Sequence, residues 1–200
     1  TFNCPWFEDP SKMKARLSPR FGISHPITAN DVLYFYYGHI SQLPTFQYVY
    51  AKINSKAQST YQVFGNPNLN PKTTVQYELG VKHRFSEDQV LELKAYWKDM
   101  FDYETSQTIR PSNPKYANLS FNMYFNADYA RARGVEAILK SRLLTNWYID
   151  LNLNYSIVTG KSSSPMDNLL VQAGQLSEKP LGESYMSWDR PLHFFANLSY

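Results

Sequence analysis

The residues first to be tested for chemistry are the four histidines, His25, His39, His83 and His193. A metal site needs about three or four ligands converging on one point. Alternating polarity puts each histidine on a different predicted strand with no paired spacing, so no metal site is implied. The carboxylates Glu78, Glu92, Glu136 and Asp150 invite comparison with a general acid and base. They share the polar parity of their strands with Lys82, Lys94 and Lys140, which reads as charge pairing on a wet face. Cys4 is the sole cysteine, so neither an internal disulfide nor a thiolate cage can form. No glycine-rich phosphate loop, nucleophile elbow or Ser/His/Asp arrangement occurs. The residues imply no enzyme and no cofactor. What stands out is an aromatic excess, with 16 Tyr, 12 Phe and 4 Trp. That excess suits strands, sugar-binding surfaces or membrane-interface girdles.

The elements that must position these residues are strands. From Gly65 to Asp99 a turn-rich lead-in, Gly65-Asn66-Pro67-Asn68-Leu69-Asn70-Pro71, precedes two segments of period 2. Val75, Tyr77, Leu79 and Val81 alternate with polar or small residues, and so do Leu91, Leu93, Ala95 and Trp97. Period 2 is the strand period, because successive side chains leave opposite faces of a pleated sheet. The same alternation runs through Arg20 to Ile27, Asp31 to Ile40, Ala130 to Lys140, Trp147 to Ile157 and Leu192 to Tyr200. The fold class is therefore all-β, an antiparallel up-and-down meander of about seven strands. No run of 18–20 apolar residues exists, which excludes a transmembrane helix but not a membrane barrel. The formal charge of +3, without a basic tract interleaved with aromatics, argues against a nucleic-acid partner.

The connections separate by length. Thr28-Ala29-Asn30, Ser86-Glu87-Asp88 and Arg142 to Asn146 are short. Ser41 to Lys72, Tyr103 to Asn126 and Val158 to Arg190 are long, and Pro111 and Pro114 are expected to block pairing in the second. In a meander alternate connections lie at opposite ends, so all short turns fall at one end and all long loops at the other. Outer-membrane barrels have this asymmetry. A Greek-key sandwich has no reason for it. The reading is a partial transmembrane β-barrel over residues 1–200, cut from a longer chain, since Thr1 is not a start methionine and Tyr200 falls inside an alternating run.

Several stretches resemble TonB-dependent outer-membrane receptors, in the type found in Bacteroidetes-like bacteria. They are Leu17-Ser18-Pro19-Arg20-Phe21-Gly22-Ile23-Ser24, then Tyr37-Gly38-His39 with Leu43-Pro44-Thr45-Phe46. The Gly65 to Pro71 lead-in to Tyr77-Glu78-Leu79-Gly80 follows, then Ala95-Tyr96-Trp97-Lys98-Asp99 and Arg131-Ala132-Arg133-Gly134-Val135-Glu136. The resemblance covers about residue 17 to the end. The resemblance implies a barrel of about 22 strands closed by a plug, in the outer membrane of a Gram-negative cell. It implies uptake of a scarce siderophore, cobalamin or glycan with energy passed through the TonB complex. The plug, the TonB-contacting box and the remaining strands have no counterpart in this chain. A passive porin-like barrel and a soluble carbohydrate-binding β domain are the competing readings.

Two candidate sites follow. Phe46, Tyr48, Tyr50 and Tyr61, in an extracellular loop, would either stack on the small-molecule or glycan ligand or pack the loop on itself. Arg131 and Arg133 share the outward parity of Val135, toward the long-loop rim. They would either contact lipopolysaccharide phosphates by charge-assisted hydrogen bonds or form a merely hydrated rim beside outer-membrane lipid. For the central hairpin, a three-residue turn pairs Phe85 with Gln89. It sets Val81 opposite Leu93, Tyr77 opposite Trp97 and Lys82 opposite Glu92. A slid register would place Lys82 opposite Lys94, a like-charge pair that is destabilising.

Overall fold

A computed structural model of the protein describes residues 14–51, 63–110, 115, 120–144, 146–177 and 182–200. Cys4, Tyr61, Pro111 and Pro114 lie outside the described residues. Among those described, nine strands form a single sheet. They are β1 (Arg20–Pro26), β2 (Asp31–Gln42), β3 (Val63–Phe64), β4 (Lys72–Ser86), β5 (Gln89–Ile109), β6 (Phe121–Leu144), β7 (Trp147–Gly160), β8 (Ser184–Tyr185) and β9 (Leu192–Ser199). Two short helices, α1 (Phe46–Tyr50) and α2 (Asp167–Gln172), sit in the long connections. The seven long strands are the expected meander, in the order β1-β2-β4-β5-β6-β7 with β9 on the far edge of β7. β8 pairs two residues of that same edge, at Thr159 and Gly160. β3 departs from the antiparallel expectation, because it runs parallel to the upper part of β6.

Cross-strand register puts the apolar residues in continuous rows. Ile23, Phe35, Leu79, Ala95, Val135, Tyr155 and Leu192 lie side by side across seven strands. The next row is His25, Leu33, Val81, Leu93, Ala137, Leu153 and Phe194. These side chains stay open rather than packing on a second layer: Leu79 is 53% exposed and Val135 54%. The buried apolar residues among those described are Leu69, Met123, Tyr124, Ala130, Val158, Leu169 and Met186, all at the long-loop half. A soluble β domain would bury its apolar face against another layer. Among the described residues nothing covers the apolar face of this wall, as in a lipid-facing barrel wall.

The opposite face is polar and cross-linked. Lys82 pairs with Glu92 at 3.2 Å and Lys94 with Glu136 at 2.7 Å. The Tyr34 hydroxyl donates to Glu92 at 2.5 Å and the Tyr96 hydroxyl to Asn154 at 3.2 Å. On the apolar side two histidines are paired toward the strand ends: His83 Nδ1 is 2.6 Å from Asp31, and His39 bonds the Tyr37 hydroxyl. The expected register of the hairpin holds, with Tyr77 opposite Trp97, Val81 opposite Leu93 and Lys82 opposite Glu92. Its turn differs. Ser86, not Phe85, pairs with Gln89, and the ladder shifts by one residue between Arg84 and Ser86. Glu87 and Asp88 make a two-residue connection in which Ser86 Oγ accepts the Asp88 N–H at 3.2 Å. Phe85 is the extra residue of a β-bulge, which absorbs the mismatch without moving the strand body.

The short turns meet at one end. The Arg84 N–H donates to Asn30 O at 2.9 Å, and the Arg142 N–H to Asp88 O at 2.8 Å. At the other end β5 and β6 run on into the stretch from Tyr103 to Asn126, which the sequence reads as a long connection. After an irregularity between Met100 and Tyr103 the two strands pair again, from Glu104 with Asn126 to Ile109 with Phe121. Asp102, inside that irregularity, has φ 61°. At about 3.3 Å per residue, the 24 residues of β6 span roughly 80 Å. A tilted membrane strand needs only about 9–11 residues, so the upper half of this hairpin stands clear of the bilayer.

Candidate functional site

The projecting hairpin is where the two longest described connections converge. The Gly65 to Pro71 stretch fastens the β2–β4 connection to it. A Cβ on Gly65 would lie 2.5 Å from Ala51 N and 2.6 Å from Val49 O, so the residue must be glycine for the end of α1 to rest there. The Gly65 N–H donates to Ala51 O at 2.8 Å and the Asn66 N–H to Tyr48 O at 2.9 Å. The buried Asn66 side chain donates to Tyr124 O at 2.9 Å and accepts the Asn68 N–H at 2.9 Å. The Asn70 N–H donates to Asn126 Oδ1 at 2.7 Å, and Asn126 Nδ2 donates to Asn70 O and Asp102 O at 3.0 and 2.7 Å. Lys72 then meets the almost wholly buried Glu104 at 2.9 Å. From the β7–β9 connection, α2 docks on β5: Asn168 Nδ2 donates to Thr105 Oγ1 at 2.8 Å, and the Ser106 N–H to Pro165 O at 2.8 Å. Thr105 and Ser106 are completely buried.

This clamp sets the loop aromatics. Tyr48 packs on Tyr124, ring centroids 4.8 Å apart. Burial first, and the nearby Tyr48 second, push the Tyr124 hydroxyl above the ordinary tyrosine range. Phe46 and Tyr50 stack on each other at 6.0 Å on α1 and are 73% and 68% exposed. The four predicted ligand residues therefore separate. Tyr48 anchors the helix, Phe46 and Tyr50 face outward, and Tyr61 lies outside the described residues.

The predicted arginines also separate. Arg131 Nε bonds Asp99 at 2.7 Å and its Nη1 bonds Glu183 at 3.0 Å. Glu183 also accepts the Thr159 hydroxyl at 2.7 Å, and Asp99 the Trp97 indole N–H at 3.0 Å. Arg133 is exposed, lies 5.5 Å over the Trp97 ring and forms no ion pair among the described residues. Sequence reasoning missed Tyr124, Asn126 and Glu104, which organise the projecting hairpin. The alternation of Phe121, Met123 and Phe125 was the available signal for the first two. Nothing in the pattern marks Glu104.

A single-layer wall, apolar outside and ion-paired inside, with short turns at one end and a projecting hairpin at the other, defines a segment of an outer-membrane β-barrel. The family model described as TonB dependent receptor-like, beta-barrel matches residues 4–191. The sheet is similar to a ferric enterobactin receptor (PfeA) mutant from Pseudomonas aeruginosa, with TM-score 0.54 and 19% identity over 72% of this chain and 24% of that one. It is also similar to the siderophore receptor PirA from the same organism, with TM-score 0.52 and 18% identity over 72% of this chain and 29% of that one. The chain thus spans about a quarter of the length of these structures. No curated protein matches the sequence significantly. The chain belongs to the TonB dependent receptor-like, beta-barrel family, whose members are outer-membrane proteins and not enzymes.

Proposed function

We propose that the intact protein is an energised uptake receptor. It takes a scarce ligand of the siderophore, cobalamin or glycan class across the outer membrane with energy from the TonB complex, which it meets through an N-terminal part outside this chain. Family membership over residues 4–191 carries the reading. The projecting hairpin supports it, because it holds an aromatic pair, Phe46 and Tyr50, well beyond the girdle on a braced loop. Stacking on such exposed rings suits aromatic and sugar ligands alike.

The test is binding and uptake by the full-length receptor. Ferric siderophores, cobalamin and oligosaccharides are titrated separately, then followed into cells with and without TonB. One class binds, and its uptake stops without TonB. Phe46→Ala and Tyr50→Ala each weaken binding by about 0.5–1.5 kcal/mol, roughly two- to tenfold. Uptake that continues undiminished without TonB would replace this reading with a passive pore.

A further inference from the structure

Part of the lipid-facing wall is neither flat nor uncharged. Ala95 and Ala137 sit among larger neighbours and line a trough with Leu79, Leu93, Leu153 and Tyr155. Toward the projecting end the rows read Leu93 with Ala137, Ala95 with Val135, then Trp97 with Arg133 and Asp99 with Arg131. From the Ala137 row to the Arg133 row is four residues, about 13 Å of strand. The trough ends at the Ala95–Val135 row, and the next outward row is an arginine laid on a tryptophan ring.

That pair has the chemistry of a headgroup grip. Tryptophan belongs at the membrane–water boundary. A guanidinium presents a planar fork that matches phosphate oxygens and stacks on an aromatic face. Asp99 and Glu183 are each engaged twice, by Arg131 and by Trp97 or Thr159. On the outer face this leaves Arg133 as a cation at that boundary without a carboxylate of its own among the described residues. We infer that the wall holds an ordered phosphorylated lipid, the lipid A part of lipopolysaccharide. Its phosphate lies on Arg133 against Trp97, and one acyl chain lies in the Ala95–Ala137 trough. Arg131 lies over the same ring at 5.3 Å, but its guanidinium is already taken by Asp99 and Glu183, so it braces the returning β7–β9 connection and leaves the phosphate to Arg133. The inference rests on the outer-membrane setting and not on which ligand is taken up, so failure of the uptake reading leaves it standing.

The experiment uses the full-length receptor, delipidated in detergent, with bound lipid counted by native mass spectrometry. The probes are lipid A, dephosphorylated lipid A and inorganic phosphate. Wild type is expected to retain one lipid A and to bind the dephosphorylated form about tenfold more weakly, as the loss of one charge-assisted contact implies. Arg133→Gln removes that preference. Ala137→Phe, which fills the trough, weakens both lipids, whereas Arg142→Gln at the opposite rim changes neither. Equal retention by wild type and Arg133→Gln, equal binding of the two lipid forms, or displacement of lipid A by inorganic phosphate would each overturn the site. Should Ala137→Phe fail to fold, the lipid comparison on wild type and the surface change at Arg133 still decide.

Discussion

At Gly134 a methyl group has no room. A Cβ there would lie 2.6 Å from the Tyr155 carbonyl oxygen, 2.8 Å from the Tyr96 hydroxyl and 2.9 Å from Ser156 Cβ. One obstacle is backbone of the paired strand, which cannot swing aside as a tyrosine ring can. Gly134→Ala should therefore strain the β6–β7 ladder and cost about 1–3 kcal/mol, the usual range for overpacking. At Gly22 the same methyl would meet only Tyr36 Cδ2 at 3.9 Å, an ordinary contact. Gly22→Ala should be close to neutral. Urea unfolding of the full-length receptor, followed by heat-dependent gel mobility, checks both, and equal costs would remove steric closeness as the reason for Gly134. The Arg131 to Glu136 motif was legible as a family mark. Its glycine's reason was not, because it lies in residues more than 20 positions away on either side, Tyr96 and Tyr155.

At the scale of the element, the hairpin of β5 and β6 was half legible. Its membrane half alternates because one face meets lipid and the other a wet interior, so Leu91 to Trp97 reads plainly as a strand. Its projecting half has protein on both faces. Thr105 and Ser106 are adjacent and both wholly buried, so no period 2 is imposed there, and the nearby Pro111 and Pro114 made the stretch look like loop. The anchor of this half is the Lys72–Glu104 pair, 2.9 Å apart, with Glu104 almost wholly buried and its Oε1 without a hydrogen-bond partner among the described residues. Removing one member of a buried pair strands the other charge and costs about 3–5 kcal/mol, whereas replacing both by apolar residues costs far less. Lys72→Met should therefore destabilise the projecting half more than Lys72→Met combined with Glu104→Leu. Hydrogen exchange of residues 103–109 in the two variants measures this. Greater protection in the single variant than in the double would show that Lys72 is not what offsets the buried carboxylate.

For the whole molecule, the sheet's two faces give the last test. Outward rows are mainly apolar from Tyr77 and Trp97 at one rim to Leu91, Leu139 and Leu151 toward the other, with the Arg131–Asp99 and His83–Asp31 pairs at the rims, and the inward rows hold the Lys82–Glu92 and Lys94–Glu136 pairs. Parity alone made this division legible from sequence, since each strand crosses a boundary between two solvents and records it in every second residue. The loops left no such record, because their partners are set by contacts between distant segments, as Asn66 finds Tyr124. If the outward rows meet lipid, a charge near the bilayer midplane must be costly and depth-dependent. Leu93 sits in the middle of the band, between Val81 and Ala137. In the intact receptor Leu93→Arg should cost roughly 2–4 kcal/mol. Asn152 points the other way and donates to Glu136, so Asn152→Arg places its cation beside a carboxylate in the wet interior and should cost much less. Trp97→Arg, at the rim of the same outer face, should cost about 0–1 kcal/mol for its charge, beyond any lost ring packing. Refolding titrations into lipid vesicles give all three values. Equal costs for Leu93→Arg and Asn152→Arg would mean that the apolar face does not meet lipid.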